Sequence, residues 1–222
     1  ILALLATLIA IESGYQVAIM APTEILAEQH FENAQRLLKN LPIKLALLTS
    51  QLKSKEKQAI YEGILKGRYQ LVIGTHALIQ EGVEFQRLGL VIIDEQHRFG
   101  VAQRATLVAK GVTPDVLVMT ATPIPRTLAM TLYGDLDISI LDEMPPGRKP
   151  VETMHFWEKD REQVYRFLEK KLSEGVQVYI VYPLIEESEI LELKAATTMY
   201  ETLKKRFSQY KLALLHGRMK AE

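Results

Sequence analysis

Cysteine is missing from this 222-residue sequence, which excludes a disulfide scaffold and thiol catalysis and fits a reducing compartment such as the cytoplasm. Neither sign of charge is in excess. Lys+Arg and Asp+Glu both number 27, so the chain has no diffuse basic surface for coating nucleic acid, and any DNA contact must be local. Long apolar runs are also missing. The most apolar stretch, ILALLATLIAI, is ended by Glu12-Ser13-Gly14 well short of the roughly 18–20 residues that cross a bilayer, so no membrane partner is expected. Without a basic leader it does not read as a signal peptide, but as a buried helix capped by Gly14. Aromatic residues make up only 7%, and Trp157 and the tyrosines are too scattered to form a stacking platform for bases. The five His residues show no ligand spacing, which argues against a structural metal.

What is present suits a folded, soluble protein: 48% hydrophobic and 24% charged residues can supply a core and a solvated surface. The length lies between one large domain and two small ones. Short aliphatic runs alternate with amphipathic stretches. Residues 16–20, 45–48, 70–73, 88–93 and 116–119 read as strands, with helices over 24–39 and 54–65. Strands without polar alternation are buried on both faces, and the strand–helix rhythm implies an α/β, doubly wound parallel sheet. Three prolines and a glycine within DEMPPGRKP form a stiff connection, in which Gly147 is the freely rotating position. The rhythm then restarts, with strands expected at 152–156, 177–182 and 211–215 and helices at 160–174 and 191–207. This divides the chain into residues 1–146 and 147–222, the second domain being incomplete. A start at Ile1 and a finish on an apparent helix start suggest a piece of a longer protein.

The chemistry-bearing residues cluster at strand ends. LVII followed by Asp94-Glu95-Gln96-His97 puts two adjacent carboxylates at the carboxyl end of a buried strand, where open α/β sheets bind their ligands. Such an Asp can hold a nucleotide's Mg2+, and its neighbour can position or deprotonate a water; both could equally serve as a helix cap. Ala21-Pro22-Thr23, Gly74-Thr75-His76 and Thr120-Ala121-Thr122 are small, hydroxyl-bearing turns at the same sheet edge. Any one of them could be a plain cap, but together they suggest a surface for a polyanion.

In order, these segments resemble motifs Ia, Ib, II and III of superfamily-two helicases. The strings VIIDEQHRFG, MTATPIPRT, YGDLD, DEMPPGR, YPLIEESE and HGRM narrow the resemblance to the RecG family of branched-DNA translocases. The transcription-repair coupling factor, a related translocase, shares RFG and TATPIPRT but typically has Glu where Gln96 stands. It also lacks the YPLIEESE and DEMPPGR strings. That translocase and a non-catalytic nucleic-acid-binding module are the alternatives.

The resemblance implies two RecA-like domains, the second truncated here, with ATP and Mg2+ as cofactors. It implies an ATP-dependent DNA helicase that remodels stalled replication forks and Holliday junctions in recombination and repair. By this carry-over Asp94 holds Mg2+, Glu95 activates the hydrolytic water, and Gln96 and His97 couple the nucleotide to the second domain. Thr120, Ala121 and Thr122 link hydrolysis to DNA movement. Pro22, Thr23, Gly74, Thr75 and His76 face the DNA backbone. Arg126 joins the coupling group, with a helix-start salt bridge as its alternative. His216-Gly217-Arg218 approaches DNA or forms a plain turn, and Lys53, Lys55 and Lys57 read as a solvated helix face. Branched double-stranded DNA and single-stranded DNA-binding protein are the implied partners, and a monomer in the cytoplasm the implied state. The family's phosphate loop, G-x-x-x-x-G-K-[ST], occurs nowhere in this sequence, so these residues alone are expected to be inactive.

Overall fold

Aliphatic strands that lack polar alternation must be covered on both faces, and the architecture meets that demand. The structure, a computed structural model, describes residues 1–95, 99, 101–121, 137–144, 147–181, 189–216 and 219. The chain divides into two compact units, Ile1–Ser139 and Ile140–Glu222. The first contains α1 (Leu2–Glu12), β1 (Gln16–Met20), α2 (Glu24–Leu37), β2 (Leu45–Leu48), α3 (Ser54–Leu65), β3 (Leu71–Gly74), β4 (Leu88–Asp94), α4 (Val101–Val108) and β5 (Asp115–Met119). The five strands form one sheet in the order β2-β3-β1-β4-β5, and every pairing is parallel. This is the α/β, RecA-like fold expected from the sequence. Met20 lies beside both Gly74 and Ile93, and Asp94 lies beside Met119, so the carboxyl ends of the strands are level.

Successive residues of a strand point to opposite faces, and the core accordingly has two layers. Ala18, Met20, Val72, Val91 and Ile93 pack on one side with Ile64 of α3 and Leu107 of α4. Val17, Ile19, Ile73, Leu90 and Ile92 pack on the other with Ala27 and Ala34 of α2. Each fully buried aliphatic side chain contributes about 1.5–3 kcal/mol relative to exposure, so these two layers dominate the stability of the unit.

A single polar side chain ties the amino end of the sheet together. Gln16 is buried, and its Nε2 donates to the carbonyls of Ile64 (3.0 Å) and Tyr69 (2.8 Å). Its Oε1 accepts from the Arg87 amide at 3.1 Å. The ends of α3, β3 and β4 thereby converge on one satisfied amide. Gly74, at the other end, permits close strand approach: a Cβ there would lie 2.2 Å from the Leu48 carbonyl oxygen.

The expectation of a buried first helix needs correction. α1 lays Ala3, Leu4, Ala6, Leu8, Ala10 and Ile11 on the sheet, but Leu2, Leu5 and Ile9 are exposed. A helix resting on a sheet is covered along one stripe only, and an apolar sequence all round does not create a second cover. Its end is as read: Gly14 adopts φ 80, and the amides of Gly14 and Tyr15 donate to the carbonyls of Ile11 and Ala10.

The second unit holds α5 (Arg161–Ser173) and α6 (Glu189–Arg206). Arg206 donates to both carboxylate oxygens of Glu162, at 2.9 and 2.7 Å, and its guanidinium covers the Tyr165 ring at 4.5 Å. Tyr165 in turn meets Phe207 edge-on at 6.2 Å, and Phe207 and Leu203 are buried. The strands expected at 152–156, 177–182 and 211–215 differ from what is seen. Their described residues join no ladder, and Val151, Tyr179, Val181 and Leu215 are exposed. A strand exists only through hydrogen bonds to a neighbouring strand, so an aliphatic run without such a neighbour stays unassigned. Among the described residues, no helix is long and apolar enough to cross a membrane.

Candidate functional site

A parallel sheet delivers every strand's carboxyl end to the same edge, so the segments after β1, β3, β4 and β5 are gathered there by topology alone. At that edge β4 ends in Asp94, and β4 has a strand on each side. Both carboxylate oxygens of Asp94 are engaged. Nε2 of His30, from α2, lies 2.7 Å from Oδ2, and the Glu95 amide donates to Oδ1 at 2.9 Å. The His30 hydrogen bond is the largest influence holding the Asp94 carboxyl below the ordinary aspartate range. Partial burial opposes it, while His30's charge and the Glu95 amide add to it. Asp94 is therefore a fixed, ionised carboxylate that still reaches solvent, its side chain being 19% exposed.

Glu95 has φ 49, the left-handed region, and is the one described non-glycine residue with positive φ. A non-glycine residue there is disfavoured by roughly 1–2 kcal/mol. The backbone thus departs from the strand conformation directly after Asp94. Strain of this kind needs support from its surroundings, which the buried strand below and the Asp94–Glu95 hydrogen bond provide.

The donor set fits a nucleotide-bound divalent cation. From the described residues each Asp94 oxygen accepts one hydrogen bond, which leaves a lone pair on each for a ligand. Among the described residues no three His, Cys, Asp or Glu side chains cluster closely enough to hold a metal unaided. One carboxylate from the protein, with phosphate and water oxygens completing the shell, is how Mg2+ is commonly held beside a nucleotide.

The remaining candidates are placed unevenly. Thr23 caps α2, its Oγ1 accepting from the Leu26 amide at 3.3 Å; it is exposed beside the half-buried Pro22. Glu24 fixes this helix start to the segment after β2 by accepting from the Ser50 amide at 2.9 Å and from the Gln51 side-chain amide. Gly74 and Thr75 are buried, the Thr75 hydroxyl without a hydrogen-bond partner among the described residues, and of the three only His76 presents its side chain to solvent. Thr120 and Ala121 follow β5 and are exposed. Gln96, His97, Thr122 and Arg126 lie outside the described residues. Of the carried-over residues, the fold therefore gathers Asp94, Glu95, Pro22, Thr23, His76, Thr120 and Ala121 at one accessible edge.

His30 was not singled out from the sequence. It lies on α2 seven residues after Thr23, and no motif spacing connects it with Asp94, 64 positions later. The only available signal is the period of the helix, which returns to the Thr23 side after two turns.

Comparison with known proteins agrees with the fold. The DEAD/DEAH box helicase family matches residues 1–131. An ATP-dependent DNA helicase RecG of Streptococcus pneumoniae is 58% identical over 98% of this chain, and that of Aquifex aeolicus is 55% identical over 99%. The chain spans 32% and 28% of those two relatives, about a third or less of their length. A RecG structure solved bound to a three-way DNA junction superposes with TM-score 0.73 at 47% identity, covering 99% of this chain and 28% of that one. The helicase MrfA shares the fold, with TM-score 0.56 at 17% identity.

Proposed function

Because this chain belongs to the DEAD/DEAH box helicase family, we propose that it forms part of the motor of a RecG-type, ATP-dependent DNA helicase acting on branched duplex DNA. The observation that carries the proposal is the fixed Asp94 carboxylate at the carboxyl end of β4, followed directly by Glu95 and on an edge shared with Thr23, His76 and Thr120. Bound ATP with Mg2+ supplies the phosphoanhydride whose cleavage drives movement. Asp94 provides an ionised oxygen for the cation, in an orientation set before the nucleotide arrives. Glu95, the next residue, orients the attacking water and receives its proton. Pro22, Thr23 and His76 meet the DNA backbone, while Thr120 and Ala121, followed by Thr122 and Arg126, link hydrolysis to DNA movement. Gln96 and His97 extend the nucleotide contact toward the second unit. These roles are supported by sheet-edge placement for the described residues and by family likeness for the others.

Replication forks and Holliday junctions are the proposed substrates, supported by likeness to the RecG structure bound to a three-way junction. The helicase is taken as a cytoplasmic monomer that meets single-stranded DNA-binding protein at forks, a reading that rests on the same likeness. The deciding experiment is steady-state ATP hydrolysis by the full-length helicase carrying this chain, with three-way junction, Holliday junction or linear duplex. Stimulation by both branched DNAs should exceed that by the linear duplex at equal phosphate concentration. No stimulation by any DNA, or equal stimulation by all three, would reject the assignment.

A further inference from the structure

Asp94 is held from outside its own strand by only one described side chain, His30, and that residue comes from the helix that Thr23 caps. We propose that His30 is a positioning residue for Asp94: by donating from Nε2 to Oδ2 it selects the carboxylate orientation that receives Mg2+-nucleotide. The inference rests on the reading of Asp94 as the cation's protein ligand and extends it to a residue that no motif marks.

Three observations support it. The contact is short, 2.7 Å, and joins a third-exposed imidazole to a less exposed carboxylate, so solvent does not readily replace it. It engages the Asp94 oxygen that the Glu95 amide leaves free, so the two donors together fix both the position and the rotation of the carboxylate. The remaining lone pairs stay available to a ligand. Hydrogen-bond partners of metal-ligating carboxylates orient them, and their loss typically weakens metal binding about 10–100-fold.

The helix gives the contact a second consequence. Thr23 and His30 are seven residues apart on α2, about 10 Å along its axis. The start of α2 is also fixed to the segment after β2 through Glu24. A displacement of the Pro22–Thr23 turn therefore moves the His30 donor as part of one rigid element. That provides a direct path between the proposed DNA-facing turn and the nucleotide-facing carboxylate.

The test measures Mg2+-dependent binding of a fluorescent, non-hydrolysable ATP analogue to the full-length helicase, without turnover, for His30→Ala, His30→Gln, His30→Asn and Asp94→Asn. His30→Gln keeps an N–H donor near the position of Nε2, whereas His30→Asn is too short to reach. The expected result is a roughly tenfold rise in the Mg2+ concentration for half-maximal binding in His30→Ala and His30→Asn, with His30→Gln within about threefold of wild type. Circular dichroism and thermal unfolding confirm that each variant is folded. If His30→Ala does not fold, the Gln and Asn variants decide, and equal Mg2+ requirements for those two would overturn the inference. Wild-type behaviour of His30→Ala, with loss of Mg2+-dependent binding in Asp94→Asn, would overturn the His30 role and leave the Asp94 reading standing. Unaltered Mg2+ dependence in Asp94→Asn would remove the Asp94 reading itself.

Discussion

Asp94 and Glu95 are neighbours in the chain, yet their backbones differ. Asp94 completes a strand and is hydrogen-bonded through both oxygens, while Glu95 sits at φ 49. Replacing Glu95 by Gln keeps its size and backbone tolerance but removes the proton acceptor. In the full-length helicase, Glu95→Gln should lower turnover by at least about 100-fold with nucleotide affinity nearly unchanged. Asp94→Asn should weaken Mg2+-dependent nucleotide binding as well, and equal, small effects of both changes would reduce the pair to a structural turn. A pH dependence follows from the depressed Asp94 carboxyl. Its stabilising contribution is complete above the ordinary aspartate value of about 4 and is lost as pH falls through the lower folded value. The stability difference between wild type and Asp94→Asn in urea should therefore shrink as pH falls below about 4. The position of the carboxylate pair at the end of a strand was legible in the sequence because a buried aliphatic run stops at its first charged residue, although the same pattern also fits a helix cap. His30 was not, because its contact with Asp94 depends on how α2 packs against the sheet.

Among the elements, those bounded by strong local signals were legible and those defined by partners were not. The strands at 16–20 and 45–48 and the helix at 54–65 occur as read, because short aliphatic runs and a capped amphipathic period each specify one state. β4 runs one residue further, through Asp94, because its pairing with β5 continues to Met119. The aliphatic runs of the second unit carry the same local signal but make no described ladder, so the signal alone did not settle them. Gln16 shows the converse: its sequence says only that a polar residue opens a strand, while the fold makes it the junction of three elements. Gln16→Leu would leave two carbonyls and an amide without that partner and should destabilise the first unit by about 2–4 kcal/mol. Urea denaturation of the isolated variant and wild-type chains measures this, and a loss below about 0.5 kcal/mol would mean that the backbone groups find other partners. Because Gln16 lies at the amino end of the sheet, the residual nucleotide affinity of a folded full-length variant should be unaffected.

At the scale of the whole molecule, two features matter: a phosphate-loop pattern that the sequence does not contain, and the proline-rich stretch around Gly147 near the start of the second unit. The sequence contains no phosphate-cradling G-x-x-x-x-G-K-[ST], and Asp94 cannot substitute for the amides and lysine of that loop, so these 222 residues alone should show no DNA-stimulated ATP turnover. Turnover by the purified chain would mean that the nucleotide is held by other residues. Gly147 tests the connection. It adopts φ 84 with no described residue beyond its chain neighbours within 4 Å of where a Cβ would stand, so a substitution there acts through the backbone and not through a clash with described residues. Proline fixes φ near −65° and cannot adopt that conformation, whereas asparagine tolerates it. If domain closure during translocation bends the chain at this point, Gly147→Pro in the full-length helicase should slow DNA-stimulated turnover roughly tenfold while Gly147→Asn stays near wild type. Nucleotide binding at Asp94 without DNA should be the same in all three proteins, because neither unit's packing includes the Gly147 side. Wild-type turnover in a folded Gly147→Pro variant would establish the connection as a passive spacer. Equal slowing by Pro and Asn would place the effect in the added side chain instead of the backbone angle.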